Sequence, residues 1–415
     1  MGIMAGTVGA ENGPQGTARS SAIKHLLVAR ALRDFGDGFV AVLLPVYLTA
    51  LGLSPFQVGL VATAALFGSA LVTLGVGMIG SRYDHRRLLV AAAMLMVATG
   101  VAFAVVDAYT VLLVVAFAGT INPSGGSVSV FVPLEHAVLT RDVSPANRTR
   151  MFARYGLVGA LAGALGALVA AAPDLLASLG MQQLTAIKLM FVLYALLGVA
   201  GGHIYSRIPP TPAPKVAEPP AALGPSRHIV YRLAALFSID AFAGGFVVQS
   251  LLALWLFERF DMSLSAASLF FFWSGVLAAF SFPVAAWLSR RIGLVNTMVF
   301  THIPSSVALI LAAIAPTLPL ALALLLLRAA LSQMDVPTRT SYVMAVVTPQ
   351  ERPAAASVTA VPRSLASAIS PAIAGALLST TTAGVPLVIC GALKIAYDVA
   401  LLYSFRHIKP PEEQG

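Results

Sequence analysis

The sequence predicts an all-α polytopic membrane protein with 12 transmembrane helices in two pseudo-symmetric six-helix bundles. Three observations carry that prediction: composition, the placement of basic residues and an internal repeat. Of 415 residues, 58% are hydrophobic and only 10% are charged, where an ordinary soluble domain carries about 25%. The mean hydropathy is +0.87. So few charges cannot cover a water-soluble globule of this size, which excludes a soluble enzyme, a disordered chain and a free nucleic-acid-binding module. The net charge of +9 fits a membrane protein, because Lys and Arg collect in cytoplasmic loops.

A spanning helix takes about 20 apolar residues. The spans fall at 28–52, 56–80, 87–107, 109–139, 152–172, 185–206, 230–257, 264–288, 293–315, 317–347, 354–380 and 384–405. Residues 1–24 are small and polar, without the basic start and short apolar core of a cleaved signal, and are expected to form a disordered cytoplasmic tail. A six-helix bundle then covers 25–206, a Pro-rich cytoplasmic linker 207–228, a second bundle 229–406 and a second cytoplasmic tail 407–415. A Pro-rich segment of this kind reads as an extended spacer.

Basic residues set the orientation. Arg82, Arg86, Arg87, Arg141, Arg148, Arg150, Arg207, Lys215, Arg227, Arg290, Arg291 and Arg352 follow the even-numbered spans, whereas the other side holds only Lys188 and Arg259. Both termini are therefore expected in the cytoplasm of a multi-pass plasma-membrane protein. The halves align at a shift of about 204–209 residues: Gly38-Phe39-Val40 faces Gly245-Phe246-Val247, Pro133 faces Pro337, and Pro145-Ala146-Asn147-Arg148 faces Pro349-Gln350-Glu351-Arg352. The shared order of such matches marks a repeat, while the register of spans 5 and 11 stays ambiguous. Parallel six-plus-six repeats occur in secondary transporters.

The loop Gly77-Met78-Ile79-Gly80-Ser81-Arg82-Tyr83-Asp84-His85-Arg86-Arg87, its echo Trp287-Leu288-Ser289-Arg290-Arg291-Ile292-Gly293 and the Pro-x-x-Arg loops resemble the major facilitator superfamily of secondary transporters. The family's motif is Gly-x-x-x-Asp-Arg-x-Gly-Arg-Arg; this chain carries Ser81 in place of the Asp and Asp84 in place of the Gly. The resemblance covers essentially the whole chain. It implies the fold, transport of a small molecule, a role for Arg82 and Arg86 in bonding helix ends during gating, and a central cavity lined by spans 1, 4, 7 and 10.

Charges inside the hydrocarbon region are expensive and usually line a cavity or pair. In span 10, Arg328, Ser332, Asp335 and Arg339 recur at i, i+4, i+7 and i+11, one face of a helix, with Gln333 beside them. Arg328, Asp335, Gln333, Ser124, Ser127 and Gln249 are the substrate-binding candidates, because a guanidinium fork suits an anionic group and the others supply polar contacts. The blander reading makes Arg328 a structural partner of Asp335 or Asp240. Asp34, Asp37 and Asp240 are the proton-coupling candidates, since a partly desolvated acid on a cavity wall can take up and release a proton in each cycle. Against this, Asp34 and Asp37 could simply pair with Arg30 and Arg33. Glu135 and Arg339, each two residues beyond Pro133 or Pro337, suit either a gating salt bridge between the halves or two separate anchors. Pro337 with Asp335 is expected to interrupt span 10, as Asn122-Pro123-Ser124-Gly125-Gly126-Ser127 interrupts span 4.

Lys394 and Asp398 are expected to neutralise one another at i, i+4, His136, His203 and His302 to be packing residues, and Trp255 and Trp287 to be interfacial anchors. No cofactor and no metal are expected: Cys390 is the single cysteine, and the histidines have no partners at ligand spacing. His-Glu-x-x-His, Gly-x-Ser-x-Gly and Walker-type loops are absent, which disfavours the alternative of a membrane enzyme or receptor. The partners expected are a small-molecule substrate, protons or another coupling ion, and the bilayer, with the chain acting as a monomer. Arg328 leans toward an organic anion, whereas Phe270-Phe271-Phe272-Trp273 in span 8 leans toward efflux of amphiphiles.

Overall fold

A computed structural model of the protein describes residues 14–79, 83–125, 129–143, 148–210, 223–348, 350–381 and 383–408. Every regular element among them is a helix: α1 Pro14–Ala50, α2 Pro55–Ile79, α3 His85–Val105, α4 Tyr109–Ala118, α5 Phe131–Asp142, α6 Arg148–Val169, α7 Ala172–Ser178 and α8 Gln183–Ser206 in the first half. The second half holds α9 Arg227–Gly245, α10 Gln249–Phe260, α11 Leu264–Ile292, α12 Leu294–Ala313, α13 Leu318–Ser332, α14 Asp335–Ala345, α15 Arg352–Thr380 and α16 Val385–Phe405. In hydrocarbon every backbone polar group needs an internal partner, which an apolar sequence satisfies only by helix formation. Ten stretches among the described residues are long and apolar enough to cross a bilayer. Counting also α1, which carries four charges between Arg30 and Asp37, and the broken pair α4–α5 is consistent with the expected twelve. Apolar side chains such as Met94 (60% exposed), Val105 (73%) and Phe300 (57%) stand on the outside of the bundle, where lipid rather than water is their solvent.

Four local expectations are corrected. Residues 14–24 are helical and extend α1, because Ala22 and Leu26 lie in the core at 1% and 0% exposure and give that turn an apolar face to bury. Span 7 is two helices, broken at 246–248, although the segment is apolar throughout. Span 10 breaks at Gln333–Met334 rather than at Pro337, which sits in the first turn of α14, where a missing N–H costs no intrahelical bond. Trp255 is also no anchor: it is fully buried, edge-on to Phe260 at 5.5 Å. Trp287, half exposed with Arg291 5.0 Å above its ring, does stand at the surface.

The repeat is visible in side-chain contacts. Gly38 on α1 lies against the Gly163 backbone on α6, with no room for a Cβ. At a shift of 207 residues, Gly245 on α9 lies against Ser370 on α15 in the same way. These two contacts set the register of spans 5 and 11 that the sequence leaves ambiguous. The halves meet through α2 against α15 and α6 against α11. Hydrogen bonds join them from mid-depth to the face opposite the Arg-rich loops: Ser250 N to Pro123 O at 3.0 Å, Ala372 N to Thr63 Oγ1 at 3.0 Å, Phe56 N to Ser379 Oγ at 3.1 Å, and Ser265 N to Asp174 Oδ2 at 3.1 Å. We call this the far face and the Arg-rich side the basic face.

Candidate functional site: a charged cavity between the halves

Between the halves lies a cavity of about 590 Å³. Its deep end is at Gln249 and Leu309, and its wall continues past Arg30, Arg339 and Arg363 toward the basic face. The first half contributes a wall of small residues from α6, Gly156, Gly159, Ala160, Gly163 and Ala164; the second half contributes most of the charge. The span 10 row predicted from periodicity does share one face: Arg328, Ser332, Gln333, Asp335 and Arg339 all line the cavity. Ser124, Gln249, Asp34 and Asp240 line it as well. The Ser124 amide bonds Asn122 Oδ1 at 3.0 Å, and Gly125 (φ +70°) turns the chain so closely onto Gln249 that a side chain there would be both strained and obstructed. Of the aromatic run in α11, Phe271 lines the cavity and Trp273 is half exposed on the outside.

Two buried charge clusters flank this space. In the first half, Arg33 Nη2 lies 3.1 Å from Glu135 Oε2 and 3.3 Å from Asp34 Oδ1, and Arg30 Nε lies 2.7 Å from Asp34 Oδ2. Tyr205 donates to Glu135 Oε1 at 2.5 Å, and Tyr155 donates to the other oxygen. The arginines also stack, Arg30 over Tyr155 at 4.6 Å and Arg33 over Phe131 at 4.9 Å. Glu135 is wholly buried and lies behind α1, off the cavity wall. Asp37, 2% exposed, accepts from Tyr194 at 3.3 Å; no Lys or Arg nitrogen lies within 4.0 Å of it among the described residues.

In the second half, Arg339 Nη1 lies 3.0 Å from Asp240 Oδ2 and 3.3 Å from Asp335 Oδ2. Lys394 Nζ reaches Asp240 Oδ1 at 2.5 Å and His302 Nε2 at 3.3 Å, and His302 Nδ1 lies 3.0 Å from both oxygens of Asp398. Lys394 and Asp398 therefore do not neutralise one another. The lateral packing of α16 on α9 and α12 aims each at a different neighbour, Asp240 or His302. His302 is correspondingly a member of the cluster and not an isolated packing residue. Glu135 and Arg339 each pair within their own half and do not meet, so no salt bridge joins them here. Arg328 pairs with neither Asp240 nor Asp335, both of which are taken by Arg339.

Arg82 and Ser127 lie outside the described residues. Arg86 sits in the first turn of α3, where its amide donates to Asp84 Oδ1 at 3.1 Å and its guanidinium stands 4.0 Å from the same carboxylate. The sequence reading missed Arg363 and the three tyrosines, and read Lys394, Asp398 and His302 as a neutralised pair and a packing residue rather than as part of the cluster. For Arg363 a signal existed: Arg363, Ser367 and Ser370 recur at i, i+4 and i+7, and the first two line the cavity. The tyrosines carried none, since apolar helices hold many of them.

The Major Facilitator Superfamily model matches residues 26–301 and 234–415. The uncharacterized membrane protein YJR124C of Saccharomyces cerevisiae is 26% identical over 92% of this chain and 94% of its own. Among solved structures, a bacterial homologue of the human lysosomal transporter Spinster, inward-facing and unoccupied, superposes with a TM-score of 0.69 at 17% identity, over 93% of this chain and 98% of that one. The human organic anion transporter MFSD10 does so with a TM-score of 0.65 at 18% identity, over 94% and 100%. Two matched segments that together span nearly the whole sequence, on a fold shared with these membrane transporters, show that the chain belongs to the major facilitator superfamily.

Proposed function

We propose that the protein is a secondary active transporter that moves a small organic solute by alternating access of its two halves, with protons as the coupling ion. The observation that carries the reading is the cavity between the halves, sealed by hydrogen bonds on the far face and continuing toward the basic face. Rocking the halves about the cavity would exchange which face is sealed. One chain supplies both walls, so a monomer suffices. The basic face is cytoplasmic on this reading, in keeping with the excess of Arg in its loops, and the membrane is the plasma membrane.

Proton coupling needs a carboxylate whose charge is not already committed. Asp34 and Asp240 are each held by two cations. Asp37 is held by Tyr194 and Asp398 by His302, so neutralising either one breaks no Lys or Arg ion pair. Asp37 therefore stands first among the three span 1 and span 7 candidates, with Asp398 as its counterpart in the second half. Arg30, Arg33 and Asp34 on the same helix, with Thr120 and Tyr194 from its neighbours, complete the surroundings of Asp37.

Alternating access can be tested without the substrate. In a Cys390→Ser background, Gln249→Cys at the deep end of the cavity is labelled with a membrane-impermeant maleimide in vesicles of either orientation. Labelling from both faces is expected. Adding Asp174→Cys with Ser265→Cys and joining them with a short thiol crosslinker should confine labelling to the basic face. Labelling from one face only, with or without the crosslinked pair, would defeat the proposal. Reporter fusions that place the 207–228 linker outside the cell would defeat the orientation.

A further inference from the structure

We infer that the solute this cavity takes is a small organic anion, held by Arg328 and Arg363; the inference rests on the transport reading and names its substrate class. Five cationic side chains line the cavity, Arg30, Arg328, Arg339, Arg363 and Lys394, against three carboxylates, Asp34, Asp240 and Asp335. The carboxylates are all engaged: Asp34 by Arg30 and Arg33, Asp240 by Arg339 and Lys394, Asp335 by Arg339. Arg328 and Arg363 are left over. Among the described residues no carboxylate oxygen lies within 4.0 Å of either guanidinium, and Arg363 Nε is buried without a hydrogen-bond partner. At Arg328 the contact is with the main chain, Ser305 Oγ donating to its carbonyl at 3.4 Å.

An unpaired cation removed from water is a cost the folded protein carries. A structural arginine would offset it with a neighbouring acid, as Arg33 and Arg339 do. These two instead line the cavity with no acid beside them, an arrangement that a carboxylate or phosphate oxygen would complete. Ser306 Oγ, also buried without a partner, lines the same space. Opposite them stand the glycines and alanines of α6, with Phe271 at the side. The geometry thus offers donors on the second half and a smooth apolar wall on the first, so the anion would carry a modest apolar body facing α6.

The test is thermal stability of the purified full chain in detergent. Benzoate, octanoate, succinate, citrate, inorganic phosphate and glycerol 3-phosphate are compared with their neutral amides or alcohols and with tetraethylammonium. At least one anion should raise the apparent Tm where its neutral counterpart does not, and the carboxylate and phosphate arms separate the two kinds of head group. Arg328→Gln or Arg363→Gln should weaken that anion about tenfold or more, the effect of losing a charged hydrogen bond, with Arg→Lys retaining part of it. Without ligand the Gln variants should melt at or above the parent temperature, because each removes an uncompensated charge. The inference is overturned if no anion stabilises the protein, if neutral or cationic compounds do so regardless of both arginines, or if the Gln variants melt lower while still binding the anion. None of these results bears on the cysteine-labelling test of alternating access, so the two readings fail separately.

Discussion

In the first half, the ion pair between spans 1 and 4 places its base on α1, Arg33, and its acid on α5, Glu135. In the second half, the pair between spans 7 and 10 places its acid on α9, Asp240, and its base on α14, Arg339. The positions correspond, at shifts of 207 and 204 residues, and the signs are exchanged. What differs is the company. Glu135 is sealed at 0% exposure and takes two tyrosine hydroxyls besides Arg33. Asp240 lies on the cavity wall and takes Lys394 instead, with His302 and Asp398 behind it. The repeat thus preserves the place of a helix-to-helix ion pair and leaves its polarity free. A closed environment makes the pair a fastening, while an open one makes it part of a network that a ligand or proton can rearrange.

The sharpest way to break this comparison is to remove each acid. Glu135→Ala leaves Arg33 with only Asp34 and two tyrosine hydroxyls without an acceptor in a dry site, and should cost about 3–5 kcal/mol, the range for breaking a buried pair. Asp240→Asn leaves Arg339 with Asp335 and Lys394 beside His302, and should cost about 1–3 kcal/mol. Denaturation midpoints in one detergent compare them directly. The double reversal Arg33→Glu with Glu135→Arg should recover part of the Glu135→Ala loss; recovery of none would show that polarity matters after all. Next in size is the contrast within α1. Asp34→Asn disturbs two arginines, whereas Asp37→Asn keeps the Tyr194 hydrogen bond and removes only a titratable charge. Asp34→Asn should therefore lower the melting temperature more, and Asp37→Asn should abolish accumulation driven by a proton gradient while leaving passive exchange intact. Asp37→Asn protein that still accumulates solute would move coupling to Asp398.

The smallest effect concerns Glu351, outside the membrane at the start of α15. Its carboxylate accepts from Thr348 Oγ1 and Ser226 Oγ, both at 2.7 Å, and from the amides of Gly224 and Ser226 at 2.6 and 3.2 Å. The hydroxyls of Thr348 and Ser226, then the two amides, hold it down from 4.5 to about 2. A depressed carboxylate stabilises the folded state fully above its unfolded value of about 4.3, and the contribution fades as pH falls toward 2. Glu351→Gln should flatten the acid side of the stability profile in that window by lowering stability at neutral pH, where the carboxylate contributes fully, while the two proteins converge near pH 2.

The fold was legible because lipid selects on composition: long apolar runs, a basic side and a repeat are all one-dimensional signals. Helix breaks were not. Gly244 to Val248 is apolar on either side of the break, and hydropathy reports the solvent rather than the path of the backbone. The same division runs through the site. The span 10 row could be read because its periodicity lies within one span and carries across the break between α13 and α14. His302 and Asp398 are 96 residues apart, and their meeting depends on how α12 and α16 are rotated against each other. Local spacing suggested the wrong partner for Lys394 for that reason: i, i+4 neighbours share a helix face, but a facing helix can offer a better acid.

The far-face hydrogen bonds have an energetic character of their own. Phe56, Ser250 and Ser265 are each the second residue of a helix, α2, α10 and α11, and the first four N–H groups of any helix have no partner inside it. Three of the four closing donors are therefore ones that the helices would otherwise hand to water. Parting the halves breaks no turn of helix, and incoming water takes over each N–H as it is released. With a net value of about 0.5–1.5 kcal/mol for each such bond, these three together amount to a few kcal/mol, the scale that separates two populated conformations. The closure works as a latch rather than a weld.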